Sequence, residues 1–109
     1  MPKIPVLKTA RGLTNVFRPV ELASLDDSYH AFIVRYSGDY ITHTHDSDEF
    51  IYIMEGALVV EMEGRAEEVR QGEAILIPAG TRHRPRCKNF ALGLVVETRG
   101  NQKQMDPQV

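Results

Sequence analysis

The chemistry of this chain is concentrated in one stretch, Gly38-Asp39-Tyr40-Ile41-Thr42-His43-Thr44-His45-Asp46-Ser47-Asp48-Glu49. In an extended strand, residues i and i+2 point to the same side, so His43 and His45 present both imidazoles to one face. Asp46-Ser47-Asp48 reads as a turn, which puts Glu49 at the head of the returning strand with its carboxylate toward the same space. Ile51 and Ile53 share that face and line the same interior. Further on, Pro78-Ala79-Gly80 makes a tight turn that delivers His83 to the start of another strand. Imidazoles and a carboxylate gathered in this way suit one borderline divalent metal: Zn, Fe, Mn, Ni or Cu. Each residue alone also fits a polar strand face or a solvated turn; the combined spacing is what points to a metal.

The elements that must position these side chains are predicted to be strands. Turn signals fall at Asp26-Asp27-Ser28, Gly38-Asp39, Asp46-Ser47, Gly56, Gly64, Gly72, Pro78-Ala79-Gly80, Lys88-Asn89 and Gly100. The segments between them are rich in Val, Ile, Leu, Tyr and Phe, a pattern of short strands that argues for an all-β sandwich or barrel. Strands are predicted over 29–36, 50–54, 58–62, 66–70, 74–77, 82–86 and 91–97, with shorter ones near 15–17 and 40–45. Leu58, Val60 and Met62 alternate with Val59, Glu61 and Glu63, and Gly64 supplies the positive φ of a hairpin turn. Only Val20–Leu25 reads as helical, behind Pro19 at a first helical position. Residues 100–109 are polar, carry Pro107 and read as a frayed tail or, alternatively, a partner-binding arm.

With 109 residues the chain has room for one domain, expected to span 1–109. Thirteen Lys and Arg against fifteen Asp and Glu give a net charge of −2, which offers no overall basic field for nucleic acid. The one cysteine cannot form an internal disulfide. No apolar run approaches the roughly 20 residues of a membrane span. A soluble, cytoplasmic protein without nucleic-acid or membrane partners is the expectation.

The two histidine segments resemble the motifs of the cupin superfamily. The first motif, G-x5-H-x-H-x3,4-E-x6-G, is matched by Gly38, His43, His45, Glu49 and Gly56, with the first gap one residue short. The second, G-x5-P-x-G-x2-H-x3-N, is matched by Gly72, Pro78, Gly80 and His83, with Cys87 where the motif has Asn. The two motifs span 38–87. The resemblance implies a double-stranded β-helix, the jelly-roll barrel, and carries the family's metal ligands over to His43, His45, Glu49 and His83. Three imidazoles and one carboxylate on a six-coordinate ion leave two positions for water, O₂ or a chelating substrate. The resemblance is compatible with an enzyme acting on a small polar molecule, dioxygenase-like or isomerase-like. It is equally compatible with a non-catalytic small-molecule or metal binding module, and with a barrel whose metal is structural. It designates no catalytic residue beyond the ligands. A small barrel with exposed strands is expected to form a homodimer.

Further residues are candidates for the surroundings of the metal or a substrate pocket, Cys87, Arg35 and Tyr36 first among them. Cys87 shares its strand face with His83 and Pro85 and reads as a small buried hydrophobe or a thiol near the metal. Arg35 has two registers open to it. In one it faces inward beside Ala31 and Ile33 and binds a substrate anion; in the other His30, Phe32, Val34 and Tyr36 face inward and Arg35 meets solvent. Tyr36, Tyr40 and Tyr52 each offer a hydroxyl. His30 lies outside both motifs and is read as a core or interface residue. Arg82, Arg84, Arg86 and Lys88 form a basic stripe on the face opposite His83, either solvated or anion-binding.

Overall fold

The computed structural model describes residues 2–106. In chain order it contains helix α1 (Val6–Arg11) and strands β1 (Val20–Leu25), β2 (Tyr29–Asp39), β3 (His43–His45), β4 (Glu49–Met62), β5 (Arg65–Arg70), β6 (Ala74–Ile77), β7 (His83–Thr98) and β8 (Lys103–Met105). All strand pairings are antiparallel. The strand order across the sheet is β1-β2-β7-β3-β8, while β4, off this path, pairs with β5, β6 and β7. No helix among the described residues is long and apolar enough to cross a membrane.

The curl of the sheet comes from its two longest strands. β4 and β7 pair from Glu49↔Glu97 to Met62↔His83, with irregularities between Ile53 and Glu55 and between Gly56 and Val59. The sequence suggests turns at Gly56 and at Lys88-Asn89, and so divides each of these long strands in two. The structure shows bulges instead, and each strand continues through its bend. Gly56 has φ 78°, and a Cβ there would lie 2.1 Å from the Phe90 carbonyl oxygen. The backbones meet so closely that only glycine fits, which is the signature of a bulge as much as of a turn. The bend lets the first half of β4 pair with β6 and the second half with β5.

The interior between the curled halves holds Phe32, Val34, Tyr36, Ile51, Ile53, Leu58, Val60, Val69, Ile77, Cys87, Ala91 and Val95. A second apolar cluster lies on the outer face, where Ala10 of α1 covers Ile33 and Leu92 with help from Val6, Leu7, Leu13, Leu22, Met54 and Leu94. Arg11 fastens the helix end to Glu55 through Nε–Oε1 at 2.8 Å and Nη2–Oε2 at 2.9 Å. At six residues and without a side-chain N-cap, this helix gives almost no sequence signal.

Two further expectations are overturned. Val20–Leu25 is a strand, paired with β2 from Val20↔Ile33 to Leu25↔Tyr29. Asp26 and Asp27 take φ of 51° and 55°, values that Asp tolerates, and turn the chain back into a hairpin. Pairing across that turn outweighs the weak helical preference of a six-residue segment. The segment read as a frayed tail contains β8, which adds to β3 with His43↔Met105, Thr44↔Gln104 and His45↔Lys103. Asp46 Oδ1 accepts from the Gln102 N–H at 2.7 Å, and Asn101 Nδ2 donates to Glu97 Oε2 at 3.0 Å, so side chains of the preceding turn and strand tie it down. Residues 107–109 of that tail lie outside the described residues.

Candidate metal centre

β3 carries His43 and His45 on one face, and β7 brings His83 directly opposite His43. All three are buried, with 3, 8 and 1% exposure. Their ring centroids are 4.9 Å apart for His43–His45, 4.3 Å for His43–His83 and 5.6 Å for His45–His83. One nitrogen from each ring lies within 4.8 Å of the others. Glu49, heading β4, places Oε1 3.6 Å from both His45 Nε2 and His83 Nε2. At that distance neither contact is a good hydrogen bond.

The local backbone decides which nitrogens face the interior. His43 Nδ1 donates to the Ile41 carbonyl at 2.7 Å, and His83 Nδ1 donates to the Thr81 carbonyl at 2.8 Å. Since a carbonyl only accepts, each ring carries its proton on Nδ1 and turns the Nε2 lone pair inward. Both nitrogens of His45 and Nε2 of His83 are buried without a hydrogen-bond partner. A buried, unsatisfied polar atom is costly, on the order of 1–3 kcal/mol each. Such atoms converging beside a carboxylate fit a cation as the missing partner. By the chemistry of its donors, the cluster suits a divalent transition metal.

The protonation directions agree with that fit. Burial is the main force lowering the His43 pKa to about 4 and also lowers that of His45, so both rings stay neutral and able to donate a lone pair. For Glu49, burial pushes the carboxyl upward, but neighbouring His83 and the charges of His45 and His43 outweigh it and the net direction is down. These directions favour neutral imidazoles at His43 and His45 beside an ionised Glu49 carboxylate.

Beside the histidines is a cavity of about 110 Å³ whose wall includes His43, His45 and Glu49. Most of the remaining wall is apolar: Phe17, Pro19, Phe32, Val34, Ile51 and Pro85. Its polar members are Tyr36, Tyr40, Glu97 and Lys103. The Tyr36 hydroxyl is pushed well above its usual pKa by burial and by the nearby Glu49 and Glu97 carboxylates, so it keeps its proton. Burial likewise raises Glu97, against the hydrogen bond from Asn101.

Of the other sequence candidates, β2 turns Phe32, Val34 and Tyr36 inward, and Tyr36 lines the cavity. Arg35 takes the opposite face, with its guanidinium carbon 5.3 Å from the Phe90 ring centroid, away from the cavity wall. Cys87 is buried in the core, where Sγ donates to the Ala57 carbonyl at 3.3 Å and burial raises its pKa. It is not part of the cavity wall. His30 lies on β2 between β1 and β7, with its ring nitrogens 3.1 and 3.5 Å from the carboxylate oxygens of Glu21 and Glu97. The basic stripe is largely neutralised: Arg84 and Arg86 pair with Glu61, and Arg82 pairs with Asp106.

Of the three tyrosines the sequence offered, Tyr36 and Tyr40 line the cavity and Tyr52 does not; sequence reasoning missed Phe17, Pro19, Glu97 and Lys103. Phe17 stacks on Tyr40 with centroids 4.8 Å apart and meets Tyr36 edge-on at 5.8 Å. It also missed the reason Tyr36 fits. A Cβ on Gly93 would lie 2.7 Å from Tyr36 Cε2, so this glycine in the middle of β7 makes room for the ring.

Residues 32–90, more than half of the chain, match the Cupin domain family. The chain belongs to that family. A solved cupin-2 domain protein from Shewanella frigidimarina superposes with a TM-score of 0.84 at 27% identity, covering 88% of this chain and 94% of that one. YdbB of Bacillus subtilis, an uncharacterized protein, is 36% identical over 64 residues, 57% of each chain. The 3-hydroxyanthranilate 3,4-dioxygenase of Bos taurus is 32% identical over 68 residues, 59% of this cupin but only 24% of the bovine enzyme. This cupin thus spans little more than half of one of these curated relatives and a quarter of the other. The all-β jelly-roll barrel is the architecture of the family and of this chain.

Proposed function

We propose that this cupin holds one divalent transition metal on His43, His45, Glu49 and His83 and acts as a dioxygenase-like enzyme on a small, single-ring substrate. The observation that carries this reading is the set of partnerless, inward-facing imidazole nitrogens beside Glu49, opening onto an apolar cavity. A purely structural metal is closed off by protein ligands, whereas here a cavity adjoins the cluster. The apolar walls suit a flat hydrocarbon body better than the small polar molecule expected from the sequence, because a buried hydroxyl without a partner is costly. The volume is comparable with the roughly 150 Å³ apolar cavities that accept benzene. Likeness to a dioxygenase that acts on a ring compound supports the same choice.

Bound iron would supply O₂ activation, and Zn, Mn, Ni or Cu would supply a Lewis acid. The protein's own contribution is orientation and exclusion of water. The Ile41 and Thr81 carbonyls fix two imidazole tautomers, Glu49 supplies negative charge, and Phe17, Phe32, Val34 and Ile51 keep the cavity dry. The Tyr36 hydroxyl, which burial keeps protonated, can donate a hydrogen bond to an oxygen on the ring.

The test is elemental analysis of the untreated protein, then anaerobic Fe(II) loading and O₂-consumption assays with aminophenol and catechol-type rings. O₂ uptake that depends on both Fe and the ring compound is expected. Tightly held Zn with no O₂ uptake under any loading overturns the dioxygenase reading.

The homodimer belongs to the same proposal. Phe50, Tyr52, Leu76 and Tyr29 are exposed on the outer face of the sheet, and Phe50 pairs directly with Leu76. α1 covers the neighbouring Ile33 and Leu92, leaving this patch to be buried by a second copy.

A further inference from the structure

The cavity wall contains one lysine or arginine among the described residues, and nothing argued above uses it. Lys103 lies on β8, opposite His45 on β3. Its Nζ donates to the Tyr40 hydroxyl at 2.6 Å and stands 4.5 Å from the centroid of that ring. Tyr40 in turn meets His43 edge-on, with centroids 5.3 Å apart. The Tyr40 ring therefore neighbours both the ammonium and the His43 imidazole.

Lys103 forms no ion pair with a carboxylate among the described residues, whereas Arg11, Arg82, Arg84, Arg86 and Arg99 all do. A phenol oxygen satisfies one of its three N–H groups, and two remain for a ligand. The cavity wall also contains the carboxyl groups of Glu49 and Glu97, which would repel an anion unless a cation stood at its point of entry. The Tyr40 ring holds that cation in place.

We propose that Lys103 is a specificity-determining residue that takes the carboxylate of a small single-ring carboxylic acid, whose ring fills the apolar cavity and whose far edge faces the histidines. This rests on the cavity being the substrate site. It implies that docking of β8 completes the binding site, because no other element brings a cation to the wall.

Calorimetric titration of Zn-loaded protein with protocatechuate and with its neutral primary amide tests the assignment. The two ligands share a ring and a diol and differ in the anionic group. The wild type is expected to bind the acid about fivefold more tightly at low salt, with the preference shrinking as salt is added. K103M should bind acid and amide equally, and K103R should keep the preference, all at unchanged Zn content. A preference that survives in K103M overturns the assignment, and so does a Zn-loaded wild type that shows no preference or binds neither ligand. A protein that takes up no metal overturns the metal-centre proposal instead. The same titrations on that metal-free protein still decide Lys103 by the same comparison.

Discussion

His45 is the residue on which the metal centre depends most directly, because neither of its nitrogens has a hydrogen-bond partner. Replacing it by Ala removes no hydrogen bond and relieves two unsatisfied buried atoms, so the fold should survive. Metal content of H45A, read by elemental analysis against an unchanged circular dichroism spectrum, should fall from stoichiometric to a small fraction. A variant that retains the wild-type metal would remove His45 from the ligand set. The imidazoles also make the metal-free protein acid-sensitive. His43 is lowered from 6.5 to about 4 in the folded protein, so between these values the unfolded chain binds a proton that the folded one refuses. Stability should be fully present above pH 6.5 and be lost as pH falls toward about 4, by an amount on the order of 3 kcal/mol from His43 alone. His45 and Glu49, both lowered, act in the same direction. Glu97 is raised and acts oppositely: its contribution is present below 4.5 and lost as pH rises through its folded value. Urea denaturation of the metal-free protein across this range checks the sign; a flat or inverted profile would contradict it.

At the level of the elements, the bend shared by β4 and β7 sets the position of the site. It lets one end of β4 start at Glu49 beside the histidines while the other end reaches His83 on β7. Gly56 permits that bend. G56A should destabilise the protein by on the order of 3 kcal/mol or more, because the new Cβ would collide with the Phe90 carbonyl at 2.1 Å and the φ of 78° is strained for alanine. Thermal unfolding measures this, and a change within about 0.5 kcal/mol would show that the bulge relaxes freely. Motif spacing reveals Gly56 but not its function. Reading it as a turn breaks β4 into two strands, because a bulge and a hairpin use the same positive φ. The hairpin that makes β1 a strand is equally hard to read, since Asp26 and Asp27 in left-handed conformation look like any polar loop.

At the scale of the whole molecule, one sheet face is closed by the other half of the barrel and the opposite face only partly by α1. Phe50 at 42% and Leu76 at 57% exposure are adjacent on that uncovered face. The F50D/L76D double variant should therefore convert a dimer to a monomer in sedimentation velocity while leaving metal content unchanged. A wild type that sediments as a monomer would remove the homodimer from the proposal.

The sequence by itself pointed to the all-β class and to a common interior for His43, His45, Glu49 and His83, and its motif spacing carried the resemblance to the family. The first two need only the two-residue period of a strand and the short turns beside each residue, and both are local properties of the chain. The tertiary structure decided what surrounds the histidines. Whether Arg35 or Tyr36 faces the cavity depends on how β2 pairs with β7, and room for Tyr36 depends on Gly93, fifty-seven positions away. Phe17 and Lys103 arrive from opposite ends of the chain, the latter on a strand formed by residues that read as a polar tail. Such contacts come from long-range strand register, which no local pattern encodes, because each strand carries only its own alternation and not the identity of its neighbour.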